Sequence, residues 1–146
     1  MAGKLRHIAI SVPDPNAAAE FYEKTFGMHR AKAYDSEFAD VVYLSDGIMS
    51  LTLLRFKSEV LAGKETHPEG LGKEFVGIHH MGFLVDDVEK TSKLAEENGG
   101  TYLMGEMPGE GEGEGYYEIK YRDPNQVMFD ITHSGWAGAD NEFGSK

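Results

Sequence analysis

The chain has 146 residues, 40% of them hydrophobic, enough for one domain that buries its own core without staples. Against 25 acidic residues it carries only 14 basic ones, so it lacks the positive field that phosphate backbones and anionic membrane surfaces require; neither nucleic acid nor a membrane is an expected partner. There is no Cys, which excludes a thiolate nucleophile, a disulfide framework and a Cys-based zinc site and agrees with an expected cytoplasmic location.

Before Asp14 and Pro15 no apolar run reaches signal-peptide length, and no stretch approaches the roughly 18 consecutive apolar residues of a membrane span. RHIAISVPD, beginning at Arg6, reads as a strand ending in an acidic turn. NAAAEFYEKTFG follows as a helix, with Asn16 as cap, Phe21, Tyr22, Thr25 and Phe26 on one stripe, and Gly27 as the stop. Three strands are expected next, around Arg30 to Tyr34, Asp40 to Leu44 and Met49 to Arg55, the last two joined by a turn at Asp46-Gly47. Phe56 to Gly77 is polar and Gly-rich and reads as a linker.

HHMGFLVDD, beginning at His79, then repeats the first strand, with His80 in the place of His7. Its helix, DDVEKTSKLAEENGG, has Asp86 and Glu89 at capping-box spacing and Val88, Thr91, Leu94 and Ala95 on one face. Three more strands are expected, Thr101 to Gly105, Tyr116 to Arg122 and Val127 to Thr132, with a turn at Asp123-Pro124-Asn125. The alternation PGEGEGEG from Pro108 to Gly115 reads as a solvated hairpin turn, with a lid over a site as the alternative. The order is βαβββ twice. It predicts one α+β domain: module one about 5–55, linker 56–77, module two about 78–133 and a C-terminal tail 134–146.

Alternate strand residues share a face, so Ile8, Ile10 and Val12 turn to the helix and His7 turns away from it, to the concave side. The same parity sends His80 inward from the fifth strand and Asp130 inward from the last. An unpaired buried carboxylate beside two imidazoles calls for a counter-charge, and a divalent cation on His7, His80 and Asp130 supplies it. Thr52 holds in module one the position that Asp130 holds in module two, and threonine is a poor ligand; three protein ligands are therefore expected, with open positions for water or substrate. Two His and one carboxylate suit Fe(II) best, although Mn, Zn, Ni or Co bind such sets too. Tyr43, Tyr116 and Lys120 are expected to line the same cavity, with Glu118 as a candidate base; His79 and His133 fall one parity out, toward surface or supporting roles.

The segments RHIAISVPDPNAAAEFYEKTFGM, GIHHMGFLVDDVEKTSKLAEENGG and YRDPNQVMFDIT together resemble the glyoxalase, bleomycin-resistance and extradiol-dioxygenase superfamily, also called the vicinal oxygen chelate superfamily. The resemblance implies a curved sheet enclosing a metal, a homodimer, and a small-molecule substrate that chelates the cation through adjacent oxygens. It carries the ligand positions onto His7, His80 and Asp130, with Asp where Glu is more usual. Thr52 does not match the fourth ligand of glyoxalase I-like enzymes, which favours relatives with three ligands.

The leading expectation is an Fe(II)-dependent dioxygenase of a small aromatic diol or related compound, with Tyr116 and Glu118 assisting catalysis and Tyr43, Thr52 and Lys120 contacting substrate. The alternatives are a lyase, isomerase or epimerase that uses the metal as a Lewis acid and Glu118 as base, and a non-catalytic protein that sequesters its ligand. Phosphonate chemistry is disfavoured, since the tail after Asp130 has no Arg. The roughly 20-residue linker is long enough to reach another subunit, so the homodimer is expected to share its sites, His7 and Asp130 coming from different chains.

Overall fold

A computed structural model describes residues 3–63, 71–105 and 118–143. Module one comprises β1 (Lys4–Ser11), α1 (Pro15–Phe26), β2 (His29–Asp35), β3 (Ala39–Ser45) and β4 (Ser50–Phe56); module two comprises β5 (Gly77–Leu84), α2 (Val88–Glu97), β6 (Thr101–Met104), β7 (Ile119–Arg122) and β8 (Met128–Thr132). The expected βαβββ repeat is therefore present. Tyr116 and the Pro108 to Gly115 segment lie outside the described residues, as does the middle of the linker.

All eight strands join one mixed sheet in the order β2-β3-β4-β1-β5-β8-β7-β6. Within each module the first strand runs parallel to the last, β1 to β4 and β5 to β8, and the modules meet where β1 pairs antiparallel with β5. The sheet thus has a pseudo-twofold at its centre. Ala9 pairs with Thr52 in one half and Gly82 with Asp130 in the other, so Thr52 and Asp130 are register equivalents as the repeat predicts.

Each helix covers its own half. Ile10, Val12, Val42, Leu44, Leu51 and Leu53 pack with Ala18, Ala19 and Tyr22 of α1, and Phe83, Val85, Ile119, Tyr121, Phe129 and Ile131 pack with Val88 and Ala95 of α2. Strand parity is as expected except at His79. The helix stripes hold in part: Tyr22, Val88 and Ala95 pack inward, but Phe21 and Phe26 are largely exposed, Leu94 nearly half so, and the small Ala18 and Ala19 complete the seam under α1. The caps also shift by a residue or two. Asp14, not Asn16, caps α1, accepting from Asn16 N and Ala17 N ahead of Pro15 at the first turn. Asp87, not Asp86, caps α2.

The concave face holds a second apolar cluster of Ala9, Ala39, Val41 and Leu54, with Tyr43 and Phe56 against it. The tail closes this face. Gly138 O accepts from Ser45 Oγ at 2.6 Å, Asp140 N donates to Ile48 O at 2.9 Å, and Arg6 Nε donates to Asp140 O at 2.9 Å. Asn141 grips the backbone of Trp136 on both sides, through Oδ1 at 3.1 Å and Nδ2 at 2.9 Å. Trp136 is thereby buried over Gly82 and stacked on His7, ring centroids 4.7 Å apart and ring planes nearly parallel.

A methyl group at Gly82 would sit 2.5 Å from Trp136 Cζ2 and 3.0 Å from His7 Cβ, a contact neither ring escapes without leaving its place. Gly82→Ala is expected to lower stability by about 1–3 kcal/mol, the range of overpacked cores. Urea denaturation followed by circular dichroism measures it, and an unchanged midpoint would mean that Trp136 is free to move aside.

Candidate metal centre

β1 delivers His7, β5 His80 and β8 Asp130 to one point on the concave face, and all three are buried. His7 Nε2 lies 3.3 Å from His80 Nε2, His80 Nε2 lies 3.0 Å from Asp130 Oδ2, and His7 Nε2 lies 3.9 Å from the same oxygen. Bonds of about 2.0–2.2 Å to one cation at angles between 90° and tetrahedral require donor separations of roughly 3.0–3.5 Å, and two of the three edges meet that. Asp130 Oδ2 is fully buried and accepts no hydrogen bond. Two imidazole nitrogens and a carboxylate oxygen converging in a desolvated spot are the donor set a divalent cation needs, so the residues fit such an ion.

All three side chains belong to one chain. The expectation of a site divided between subunits is therefore corrected: the direct β1–β5 pairing brings the halves together, and the linker need not reach elsewhere.

Lys120 carries out a task that the sequence argument left to the metal. Its Nζ donates to Asp130 Oδ1 at 2.6 Å and lies 3.5 Å from His80 Nε2. Burial alone would lower its pKa, but Asp130 and Glu118 hold the ammonium above its ordinary value. Glu118, next in the cavity, accepts from Trp136 Nε1 at 3.1 Å, and burial first and Asp130 second push its carboxyl up. Two carboxylates against one ammonium still leave negative charge in excess, which a bound cation or a retained proton must balance.

Thr52 lines the cavity, as expected, but its hydroxyl is engaged with His7 Nδ1 at 3.1 Å. It supports a ligand and is no ligand itself. Tyr43 also lines the cavity; its phenol lies 3.4 Å from that of Tyr34, and burial keeps it protonated. The remaining wall is apolar, from Phe38, Val41, Leu54, Phe56, Leu61 and Met104, around a volume of about 210 Å³. His133 takes no part in the triad.

Trp136 escaped the sequence reading, and the depth of burial of His79 did too. Trp136 is the single Trp of the chain, in a tail without strand or helix periodicity, and its solitude was the one signal available. His79 was placed outside the cavity by alternation, yet it is as buried as His80. β5 carries an irregularity opposite Ala9 and Ile10, which pair with His80 and Ile78 and skip His79. A bulge resets strand parity, so both neighbouring imidazoles turn inward.

Thr52→Val removes the partner of His7 Nδ1 without changing side-chain size, and metal affinity is expected to fall about 10–100-fold. Competition of Zn(II) against a chromogenic chelator reads this directly, and undiminished affinity would show that Trp136 stacking alone orients the ring.

Burial lowers the pKa of His7 and His80 well below the ordinary imidazole value, and that of His79 to about 4 against the opposing bond to Ala62 O. Neutral imidazole is thus favoured in the folded chain, while the unfolded chain takes up protons below about pH 6.5. These groups contribute stability that is complete above pH 6.5 and is lost as pH falls toward 4, on the order of 3 kcal/mol from His79 alone. Glu118 acts in the opposite sense, since its raised carboxyl binds its proton earlier when folded. Chemical denaturation of the metal-free protein from pH 7.5 to 4.5 is expected to follow the histidines; a flat profile would contradict their neutral state.

Compared with known proteins, residues 4–131 match the model of the Glyoxalase/Bleomycin resistance protein/Dioxygenase superfamily. Among curated proteins, the ethylmalonyl-CoA/methylmalonyl-CoA epimerase of Cereibacter sphaeroides is 31% identical over 112 residues, 70% of this chain and 76% of that protein. The uncharacterized protein YwbC of Bacillus subtilis is 26% identical over 135 residues, 88% of this chain and 98% of that protein. Among solved structures, a variant of Streptomyces coelicolor methylmalonyl-CoA epimerase in complex with 2-nitronate-propionyl-CoA superposes with a TM-score of 0.69 at 20% identity, covering 90% of this chain and 96% of that one.

Proposed function

Because the chain belongs to the Glyoxalase/Bleomycin resistance protein/Dioxygenase superfamily, we propose that it is a divalent-metal enzyme that moves a proton on carbon next to a carbonyl, an epimerase or isomerase, in preference to the dioxygenase expected from sequence. The observation that carries this reading is Glu118: a carboxylate with a raised pKa, fixed by the Trp136 indole and facing the cavity beside the triad. Proton abstraction from carbon needs such a base, and the named relatives favour that reaction over ring cleavage.

His7, His80 and Asp130 would hold the ion. When bound, it supplies positive charge opposite the oxyanion that develops on a substrate carbonyl. Glu118 takes the proton from the adjacent carbon, and the Trp136 N–H keeps its carboxylate aimed while the apolar wall keeps water from competing. Epimerisation also needs a donor on the other side of that carbon. Tyr43 fits: it stands on β3, placed across the β1–β5 axis from β7, and its phenol stays protonated. Lys120 holds Asp130 Oδ1 in place.

A volume of about 210 Å³ accommodates a small acyl or acid group but no large carrier, so the substrate is taken as the small acyl end of a molecule, with any handle outside. The named relatives support an acyl thioester. Lewis-acid chemistry makes no redox demand, so Fe(II) holds no advantage over Mn, Co, Ni or Zn. The homodimer stays part of the proposal, supported by the exposed apolar Val76 and Ile78 at the start of β5.

With metal-loaded protein in D2O, exchange of the α-proton of a branched malonyl thioester is expected by NMR, and Glu118→Gln should slow it about 10²–10⁴-fold. Oxygen uptake with catechols on Fe(II)-loaded protein, without α-exchange, would return the reading to a dioxygenase. Binding with neither reaction would leave sequestration.

A further inference from the structure

The described tail after β8 carries no strand or helix, so the place of Trp136 has to be set by individual bonds. Asn141 sets it. Its Oδ1 accepts from Trp136 N at 3.1 Å and its Nδ2 donates to Trp136 O at 2.9 Å, and the same carbonyl closes a turn by accepting from Ala139 N at 3.1 Å. A backbone N–H only donates and a carbonyl only accepts, so both ends of the amide are fixed; a carboxylate of this size satisfies one of the two, an aliphatic side chain neither. The chain also makes room for the clasp. Gly135, at φ +79°, passes so close that a Cβ there would stand 1.9 Å from Asn141 Oδ1.

The clasp is anchored at one end and bears on the cavity at the other. Beside Asn141, Asp140 N donates to Ile48 O at 2.9 Å and Asp140 O accepts from Arg6 Nε at 2.9 Å, which ties this end to the rim of the sheet. Trp136 is buried, stacks on His7 and donates from Nε1 to Glu118 Oε2 at 3.1 Å. Asn141 lies outside the residues that line the cavity and reaches it through that ring.

We propose that Asn141 is a positioning residue for proton transfer, clasping the Trp136 backbone so that the indole N–H holds the Glu118 carboxylate toward the substrate carbon. The proposal rests on reading Glu118 as the base. A reacting group displaced by about 1 Å loses on the order of 100-fold in rate, so a clasp outside the cavity governs turnover without touching substrate.

The test uses full-length, metal-loaded protein with the branched malonyl thioester in D2O, and it reads Trp136 directly, because this is the only Trp of the chain. Asn141→Ala should lower kcat for α-exchange about 10–100-fold. KM and Zn(II) affinity should stay within a few-fold of wild type, since Thr52 still holds His7. In metal-free ¹⁵N-labelled protein the single indole N–H signal should exchange with D2O faster, and it should no longer shift on Glu118→Gln as it does in wild type. Asn141→Asp, which keeps an acceptor for Trp136 N and no donor for its carbonyl, should fall between. Lys4→Ala, which loosens the tail only beyond the clasp, at Glu142 and Phe143, should match wild type. Wild-type kcat in Asn141→Ala overturns the proposal, as does a joint loss of kcat, substrate binding and Zn(II) affinity, the mark of a merely structural clasp. Should Asn141→Ala not fold, Asn141→Asp against Lys4→Ala decides by the same readouts. No α-exchange in wild type sinks the base reading instead, while the indole signal still decides whether Asn141 fixes Trp136 against Glu118.

Discussion

The antiparallel pairing of β1 with β5 is the constraint on which everything else rests. Each module alone has two neighbours for its first strand to find: its own fourth strand on one side and, on the other, an edge that must be paired or covered. Joining the two exposed edges satisfies both halves at once and sets His7 and His80 side by side. Register matters as much as pairing. A slip of one residue would turn either histidine to the helix side, where it would meet the apolar clusters under α1 or α2.

Charge is the second constraint, and it runs through Asp130. Its two oxygens do different work: Oδ1 is held by Lys120, and Oδ2 is left open toward the imidazoles. Without the lysine, a fully buried carboxylate would stand without a compensating charge. Glu118 sits in the opposite situation, desolvated and beside a like charge, with an indole N–H as its described hydrogen bond. The two carboxylates of one cavity thus meet different partners, an ammonium for Asp130 and an indole N–H for Glu118.

Most of this fold was legible because strand alternation and the internal repeat reinforce one another. His7, His80 and Asp130 were found by parity, and Ala9–Thr52 against Gly82–Asp130 bears out the equivalence on which the argument leaned. Alternation failed where its premise did: the bulge in β5 adds a residue to one strand only, and nothing in HHMG announces it. Helix stripes held only in part. Phe21 and Phe26 were placed on the stripe with Tyr22, but the buried seam runs through Ala18, Ala19 and Tyr22 and leaves both phenylalanines outside. Lys120 was seen as facing inward but not as the partner of Asp130, since a pairing across neighbouring strands depends on register. Trp136 lay beyond any repeat, so the comparison of halves had no place for it.

That last absence has an evolutionary reading. The sheet is a duplication, and its two halves constrain each other: a change in one strand disturbs the shared axis and the equivalent packing opposite. The tail has no twin. It crosses the bowl once, bound to β1 and to the β3–β4 turn by a few backbone-directed bonds, and yet it contributes the aromatic wall beside His7 and the N–H that holds Glu118. Divergence is therefore least constrained there, where a new side chain reshapes the cavity while the duplicated frame and the cluster of His7, His80 and Asp130 stay untouched.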